Sequence, residues 1–358
     1  MSKAVILTSG GLDSTTCLGL ALERGYEIFP LSIRYGQRHE REYKSINDVI
    51  EYYQMSAKVR IHNLKTVDVN LTAIGGSALT DKTIAVPVNR DEKTMSSNIP
   101  ITYVPMRNTI FLGIAAAYAE VLKADEIWIG ANNIDYSGYR DCRPEFLESI
   151  EDTIAVATSD CGISPSWVRG FIEGEGCFSR CSYDVTEGKK YYPVFSLQQS
   201  DLASLEKLKK FFGGRGHINE RKYVGKSNIS KKQSWEYRLT YHEAYLVYEL
   251  MQGHMKNEGK QEQLNQWPII TDNKYFDEEE VRIKFEEKGI KLPIRIKAPL
   301  LHLKKADIIK LGIGLKVPYH LTWSCYQGGD RACGVCDSCK LRLAGFKEAE
   351  SCDPIPYD

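Results

Sequence analysis

Two short stretches of this 358-residue chain concentrate residues that could do chemistry. The first is Ser9-Gly10-Gly11-Leu12-Asp13-Ser14, set between the β-branched run 4–7 and an apolar periodicity through Cys17, Leu18, Ala21 and Leu22 that Gly25 closes. Strand, glycine turn and helix in that order aim backbone N–H groups and the positive end of a helix at a phosphate. Gly10 and Gly11 admit close approach, Ser9 and Ser14 add hydroxyl donors, and Asp13 suits a helix cap or a ligand of hydrated Mg²⁺. The stretch has no G-x-x-x-x-G-K-[ST] pattern, which excludes the Walker loop. A tight connection without a ligand is the alternative. The second stretch is Cys325 followed by Cys333, Cys336 and Cys339. This C-x7-C-x2-C-x2-C spacing supplies four thiolates, enough to close a tetrahedral zinc site with no open position and to fold a tail with little core of its own. Two overlapping pairs overshoot a redox dithiol, while an iron–sulfur cluster stays open as an alternative. Cys17, Cys142, Cys161, Cys177, Cys181 and Cys352 read as packing or incidental residues.

The elements that must position these stretches follow from composition and pattern. At 42% hydrophobic and 26% charged residues, packed cores are expected, and the length suits two domains. The net charge is zero, so whole-chain charge makes no case for nucleic acid and leaves only local basic faces. No apolar run approaches about 18 residues and the N-terminus has no signal-like apolar core, which predicts a cytoplasmic protein without membrane contact. In that compartment ten cysteines point to metal or thiols rather than disulfides. Residues 26–35 read as a strand interrupted by Pro30, 40–54 as a helix, 58–64 and 101–104 as strands, 109–122 as an apolar helix and 126–130 as a buried strand. Strands alternating with helices predict a doubly wound, mainly parallel α/β sheet whose ligands sit beyond the carboxyl ends of the strands. Residues 70–100, rich in Gly, Ser and Asn, read as a mobile loop or lid.

Four stretches then share the strand ends: 34–39 (RYGQRH), 104–108 (VPMRN), 130–133 (GANN) and 135–146 (DYSGYRDCRPEF). Ser-Gly-Gly-Leu-Asp-Ser resembles the pyrophosphate loop of the N-type ATP pyrophosphatases, whose fold is adenine nucleotide alpha hydrolase-like. SGGLDS, YGQRH, VPMRN, DYSGYRDCRPEF, APLLHLKKADIIKLG, VPYHLTWSCY and CGVCDSC, in this order, resemble the 7-cyano-7-deazaguanine synthase (QueC) family over residues 1 to about 155 and about 281 to 358. The resemblance implies synthesis of 7-cyano-7-deazaguanine (preQ0) from 7-carboxy-7-deazaguanine, ammonium and ATP, within queuosine, archaeosine or DNA deazaguanine biosynthesis. It implies that Leu7, Thr8, Ser9, Gly10, Gly11, Leu12, Asp13, Ser14, Thr15, Thr16 and Cys17 bind ATP. Cys325, Cys333, Cys336 and Cys339 would hold zinc. Asp135, Tyr136, Ser137, Gly138, Tyr139, Asp141 and Arg143 would face the deazaguanine. Ser9, Asp13, Ser14 and Arg107 are the expected catalytic residues, with Mg²⁺ around the phosphates. No general base stands out. A tRNA-thiolating or amide-forming relative within the same superfamily is disfavoured by DYSGYRDCRPEF together with the cysteine tail.

Between these matching parts, residues 162–277 depart from that family. Trp167-Val168-Arg169-Gly170-Phe171-Ile172-Glu173-Gly174-Glu175-Gly176 resembles the LAGLIDADG motif of homing endonucleases, a helix with small residues on one side and a terminal acid, here Glu175, that coordinates a divalent metal at DNA. Strands at 193–199 and 235–240, a helix at 201–212 and a turn at 213–216 follow, as the strands of a saddle over a DNA groove would. Between residues 207 and 232 nine Lys or Arg face one Glu, a footprint suited to phosphates; a solvated basic hairpin is the alternative. A single motif needs a second copy to complete a two-acid site, which predicts a homodimer. An intein is excluded, because no His-Asn precedes a nucleophile near residue 277. The expected organisation is a synthase domain of residues 1–161 and 278–358 interrupted by an α+β LAGLIDADG domain of residues 162–277. The competing reading is a DNA-binding protein or homing endonuclease whose host ligase has lost activity.

Overall fold

The computed structural model describes residues 2–38, 41–55, 60–90, 99–132, 139–158, 162–186, 188–221, 233–251, 254–267 and 293–358. The chain forms two compact units, Met1–Glu151 with Ile294–Asp358, and Asp152–Pro293. In the first, the strands β1 (Lys3–Leu7), β2 (Glu27–Arg34), β3 (Lys65–Asp68), β4 (Glu126–Trp128) and, after the second unit's four, β9 (Arg295–Lys297) form one parallel sheet in the order β3-β2-β1-β4-β9. Its helices are α1 (Leu12–Glu23), α2 (Arg41–Gln54), α3 (Arg107–Leu122), the first half of α4 (Pro144–Thr158), α9 (Lys305–Gly314) and α10 (Asp337–Glu348). β1 is apolar and buried without alternation because both faces of the sheet are covered. One cluster joins Ala4, Ile6, Cys17, Ile309 and Phe346, and another joins Leu18, Ile46, Val49 and Ile50. The strand order reverses between β1 and β4, the switch point at which doubly wound sheets open a crevice.

Pro30 lies within β2, opposite Ile6 of β1. On its other side Ile28 N donates to Arg60 O and His62 N to Ile28 O, so the next donor in that ladder would be the N–H that Pro30 lacks. The ladder breaks there, and the register moves from Ile28–Ile61 to Leu31–Lys65. The strand expected at 58–64 is therefore reduced, among the described residues, to one bridge, and β3 begins at Lys65. No strand forms at 101–104 either. Pro100 and Pro105 flank it, and Tyr103 N→Pro100 O and Arg107 N→Val104 O bonds turn the chain into α3. Within 70–100, the described residues 70–90 are not a loose lid. Ser77 and Ala78 are fully buried, and Ala78 and Val86 pack on Trp323, Cys325 and Cys336.

The second unit builds an antiparallel sheet in the order β5-β6-β8-β7 from β5 (Gly176–Val185), β6 (Gly188–Gln199), β7 (His217–Arg221) and β8 (Ser234–Thr240). Its helices are α5 (Pro165–Glu175), α6 (Leu202–Phe211), α7 (Tyr245–Met251) and α8 (Glu258–Asn265). Ser164 caps α5 by accepting from Trp167 N at 3.2 Å, with Pro165 at the first helical position, and Asp201 caps α6. Val168, Ile172, Phe195, Leu205, Tyr237, Leu239 and Trp267 form a core of this unit's own. The strands and helix expected at 193–199, 201–212 and 235–240 are present, while β5 carried no clear signal. Of the nine basic residues expected near phosphates, Lys207, Lys209, Lys210, Arg215 and Arg221 are described. No described helix is long and apolar enough to cross a membrane.

Candidate functional site

The loop after β1 takes its shape from what packs under it. Gly10 has φ +76°, and a Cβ there would meet Glu42 O at 2.7 Å and Ile46 N at 2.8 Å, so only glycine lets α2 pass so close. Trp323 N donates to Gly10 O at 2.9 Å and ties the loop to the C-terminal segment. Ser14 Oγ accepts from Ser9 N at 3.2 Å and lies 3.1 Å from Ser9 Oγ. Gly11 is the N-cap of α1, and no side chain caps that helix. An uncapped first turn leaves N–H groups for an anion. Across the switch point, a Cβ on Gly130 would come within 3.0 Å of Ser14 N, so β4 is followed by glycine to leave this turn room.

Asp13 caps nothing. Both its oxygens accept from Lys305 Nζ, at 2.8 and 2.9 Å, bringing the start of α9 to the loop. Together with the strand ends these residues line a cavity of about 340 Å³, within the range of small-molecule sites. Arg107, the first residue of α3, reaches it with its guanidinium 6.0 Å from the Tyr35 ring and 5.9 Å from Phe111. Burial works against that charge, but Tyr35, Tyr139 and Asp141 outweigh burial and hold Arg107 protonated. Arg38 donates to Asp81 O at 2.7 Å and to Ile84 O, and so anchors segment 81–84 at the cavity wall.

The expected ATP residues divide. Leu7, Thr8, Ser9, Gly11, Leu12, Asp13 and Ser14 line the cavity. Thr15 turns back to Gly11 O, Thr16 bonds Leu12 O and Tyr319 Oη, and Cys17 is buried in the core. Of the expected substrate residues, Asp135, Tyr136, Ser137 and Gly138 lie outside the described residues, and Tyr139 lines the cavity. Asp141 is buried and accepts from Asn108 N at 3.1 Å, holding the first turn of α3; Arg143 is exposed. Lys305 and Glu42 also line the cavity, and both were missed from the sequence. Lys305 lies inside the LKKAD stretch already singled out, and Glu42 lies three residues after RYGQRH.

The four tail cysteines converge: their sulfurs all lie within 4.8 Å of one another, Cys333 and Cys339 at 4.0 Å. A tetrahedron with Zn–S of about 2.3 Å has an edge of roughly 3.8 Å, so the set fits zinc with little adjustment. Cys325 Sγ accepts from Gln327 N and Cys333 N, and Cys333 Sγ from Cys336 N, each at 3.4 Å, which suits thiolates more than thiols. The same cluster grips segment 84–90. Val88 bridges Cys336, Arg90 pairs with Asp337, and Lys340 Nζ donates to Arg90 O at 2.8 Å. Cys325 itself lines the cavity, so metal site and cavity share a wall.

In the second unit Glu175 is exposed at the end of α5. Glu173 is occupied, accepting from Lys256 N at 2.6 Å and Asn257 N at 2.7 Å at the start of α8.

Comparison with known proteins covers both units. The family model described as queuosine biosynthesis protein QueC matches residues 3–165 and 265–350, and that described as LAGLIDADG endonuclease matches residues 168–271. The 7-cyano-7-deazaguanine synthase of Picrophilus torridus is 36% identical over 358 residues, which cover 100% of this chain and 92% of that protein. That of Oceanobacillus iheyensis is 33% identical over 355 residues, covering 99% and 98%. Among solved structures, a 4-thiouridine synthetase–RNA complex with bound ATP covers 42% of this chain and 34% of its own, at 22% identity and a TM-score of 0.27. A LAGLIDADG homing endonuclease in complex with its DNA target covers 42% and 58%, at 14% identity and a TM-score of 0.23. Similarity that low carries no argument about either unit.

Proposed function

The chain belongs to the QueC family, and from that premise we propose that its first unit converts 7-carboxy-7-deazaguanine, ammonium and ATP into 7-cyano-7-deazaguanine. The observation that carries this reading is the uncapped start of α1 at the switch point, with Arg107 and Lys305 in the same cavity. A carboxylate is a poor electrophile, because its leaving group would be an oxide. Transfer of AMP to the carboxylate oxygen supplies a good leaving group and releases pyrophosphate. The residues stabilise the charge that builds on the phosphates: the N–H groups of the first turn of α1, Ser9 and Ser14 hydroxyls, and the two cations. Mg²⁺ is taken to arrive on the ATP. Asp13 is its candidate ligand, once the pair with Lys305 opens. Nitrogen attack then gives the amide, and a second activation of the amide oxygen leaves the nitrile. Zinc, held by the four cysteines, serves the fold of the tail, and the intact loop and cysteine set disfavour a dead host ligase.

For the second unit, the match to the LAGLIDADG family model and an exposed Glu175 support a DNA-binding insert of residues 162–277, with Glu175 as metal ligand. A second copy of the chain would supply the second acid of a cleavage site, and the compartment proposed for both activities is the cytoplasm.

The test is a mass-spectrometric assay of zinc-loaded protein with 7-carboxy-7-deazaguanine, ATP, Mg²⁺ and ammonium. Nitrile is expected from the native chain. Asp13→Ala should abolish it with zinc content unchanged, and retained turnover would refute the assigned loop.

A further inference from the structure

We infer that Glu42 is the proton acceptor for the substrate nitrogen on its way from ammonia to nitrile; the inference rests on the ligase reading above. The reaction sheds protons from one atom at both stages. When ammonia attacks the acyl adenylate, the new C–N bond leaves a positively charged nitrogen that must lose a proton as the C–O bond breaks and its electron pair leaves on AMP. After the amide oxygen is adenylated, the nitrogen carries two protons, and both depart as the C–O bond breaks again and C≡N forms. A group near the reacting carbon has to take them, and sequence inspection offered none.

Among the described residues that line the cavity there are two carboxylates, Asp13 and Glu42. Asp13 is paired with Lys305 through both oxygens, and on the ligase reading it passes from that pair to Mg²⁺. Tyr35, Tyr43 and Cys142, also in the wall, are poor acceptors at neutral pH. Burial, then the charge of Glu42, pushes the Tyr35 phenol up to about 12, and burial pushes Tyr43 up as well. Burial, then Asp141, pushes the Cys142 thiol up to about 11, so a proton stays on it, and Cys325 belongs to the metal site. Glu42 differs. It stands in the first turn of α2, under the loop, with its own backbone oxygen against Gly10. Gln37 Oε1 accepts from Tyr35 N at 3.0 Å, which turns the Gln37 amide N–H groups toward the Glu42 carboxylate. The groups that face Glu42 are Arg107 from α3, Tyr35 from the end of β2, Tyr43 from α2 itself and Gln37 from the turn between. Arg107 and Gln37 favour its charged form, yet burial outweighs them and brings its carboxyl to about 7. A base with that affinity accepts a proton and returns it to water within one turnover.

The experiment compares native protein, Glu42→Gln and Glu42→Asp, all zinc-loaded, in two assays at constant free ammonia. One follows pyrophosphate exchange into ATP in the presence of 7-carboxy-7-deazaguanine, which needs only activation. The other follows amide and nitrile. Native protein inactive in both would defeat the ligase reading itself. With native protein active, Glu42→Gln is expected to keep exchange within about threefold and to lose nitrile formation by about 10²–10⁴-fold, the usual share of a general base. The native nitrile rate should rise as pH rises through about 7, because the carboxyl must shed its proton before it can accept one, and Glu42→Gln should lose that inflection. Glu42→Asp should restore part of the rate and keep the inflection. Three results would overturn the inference: nitrile formation by Glu42→Gln near the native rate, equal loss of exchange and nitrile, or Glu42→Asp no better than Glu42→Gln. Zinc content of each variant separates these from a failure to fold.

Discussion

Asp13 and Glu175 both stand at helix ends, Asp13 in the first turn of α1 and Glu175 in the last turn of α5, yet their surroundings differ in kind. Around Asp13 the answering groups come from far along the chain: Lys305 on its carboxylate, Trp323 N on the neighbouring Gly10 O, and Gly130 against Ser14. Around Glu175 there is solvent, and the local fixing of that helix end goes through Glu173 instead. A site closed by long-range partners is complete within one chain and fails when any closure is cut. A site that ends in an exposed acid needs its second half from elsewhere, and cutting it should cost the rest of its unit little.

The largest effect should come from cutting the closure that holds most of the first unit's wall. Cys336→Ser removes one of the four proposed zinc ligands, and structural zinc supplies about 10–16 kcal/mol of folding free energy in small metal-dependent modules. Loss of the metal frees Val88, Arg90 and Asp337 from one another, and through segment 81–90 it frees the carbonyls that hold Arg38 at the cavity. Nitrile formation should fall by about three orders of magnitude or more, with zinc content near zero by metal analysis. Amide hydrogen exchange in α5 and β6 should stay native, which would confirm that the two units answer to different closures. Exchange rising equally in both would break the comparison.

A smaller effect is expected from Lys305→Ala. It removes one cation from the cavity and lets Asp13 turn away, while Arg107 and the start of α1 remain. Removing one preorganised charge costs about 10²–10³-fold in favourable cases. The drop should appear in kcat/KM for ATP, with zinc content and thermal stability close to native. An unchanged value would mean that the pair with Asp13 only braces the loop.

How much of this could be read beforehand varied with the range of the interaction. The SGGLDS loop and the four cysteines announce themselves locally, because spacing alone brings their atoms together. Lys305 was invisible as a site residue for the opposite reason: its partner lies 292 residues away. Glu42 looked like an ordinary acid in a helix's first turn, and only its place in the cavity wall raises its proton affinity. Segment 70–90 misled by composition. Small polar residues suggest a lid, but Ser77 and Ala78 are fully buried, and Ala78 packs against the cysteine cluster. Residues 101–104 misled by β-branched content, which Pro100 and Pro105 overrule.

The smallest effect belongs to Glu175. Exposed surface substitutions away from caps and cores usually change stability by less than about 0.5 kcal/mol. Glu175→Gln keeps size and shape, leaves Glu173 on Lys256 N and Asn257 N, and removes only a charge at the open end of α5. Nitrile synthesis should therefore stay within about twofold of native in the mass-spectrometric assay. Any Mg²⁺-dependent cleavage of a duplex carrying the uninterrupted coding sequence should fall steeply, since a neutral amide oxygen is a weaker ligand for a divalent cation and brings no charge to offset it. Nitrile synthesis reduced tenfold or more would mean that Glu175 serves the ligase, and the contrast with Asp13 would fail. Cleavage that survives in Glu175→Gln would place the metal on some other acid of the insert. If nitrile synthesis holds and cleavage is lost, the two helix-end acids belong to separate chemistries, and the first unit's site owes nothing to the charge that ends α5.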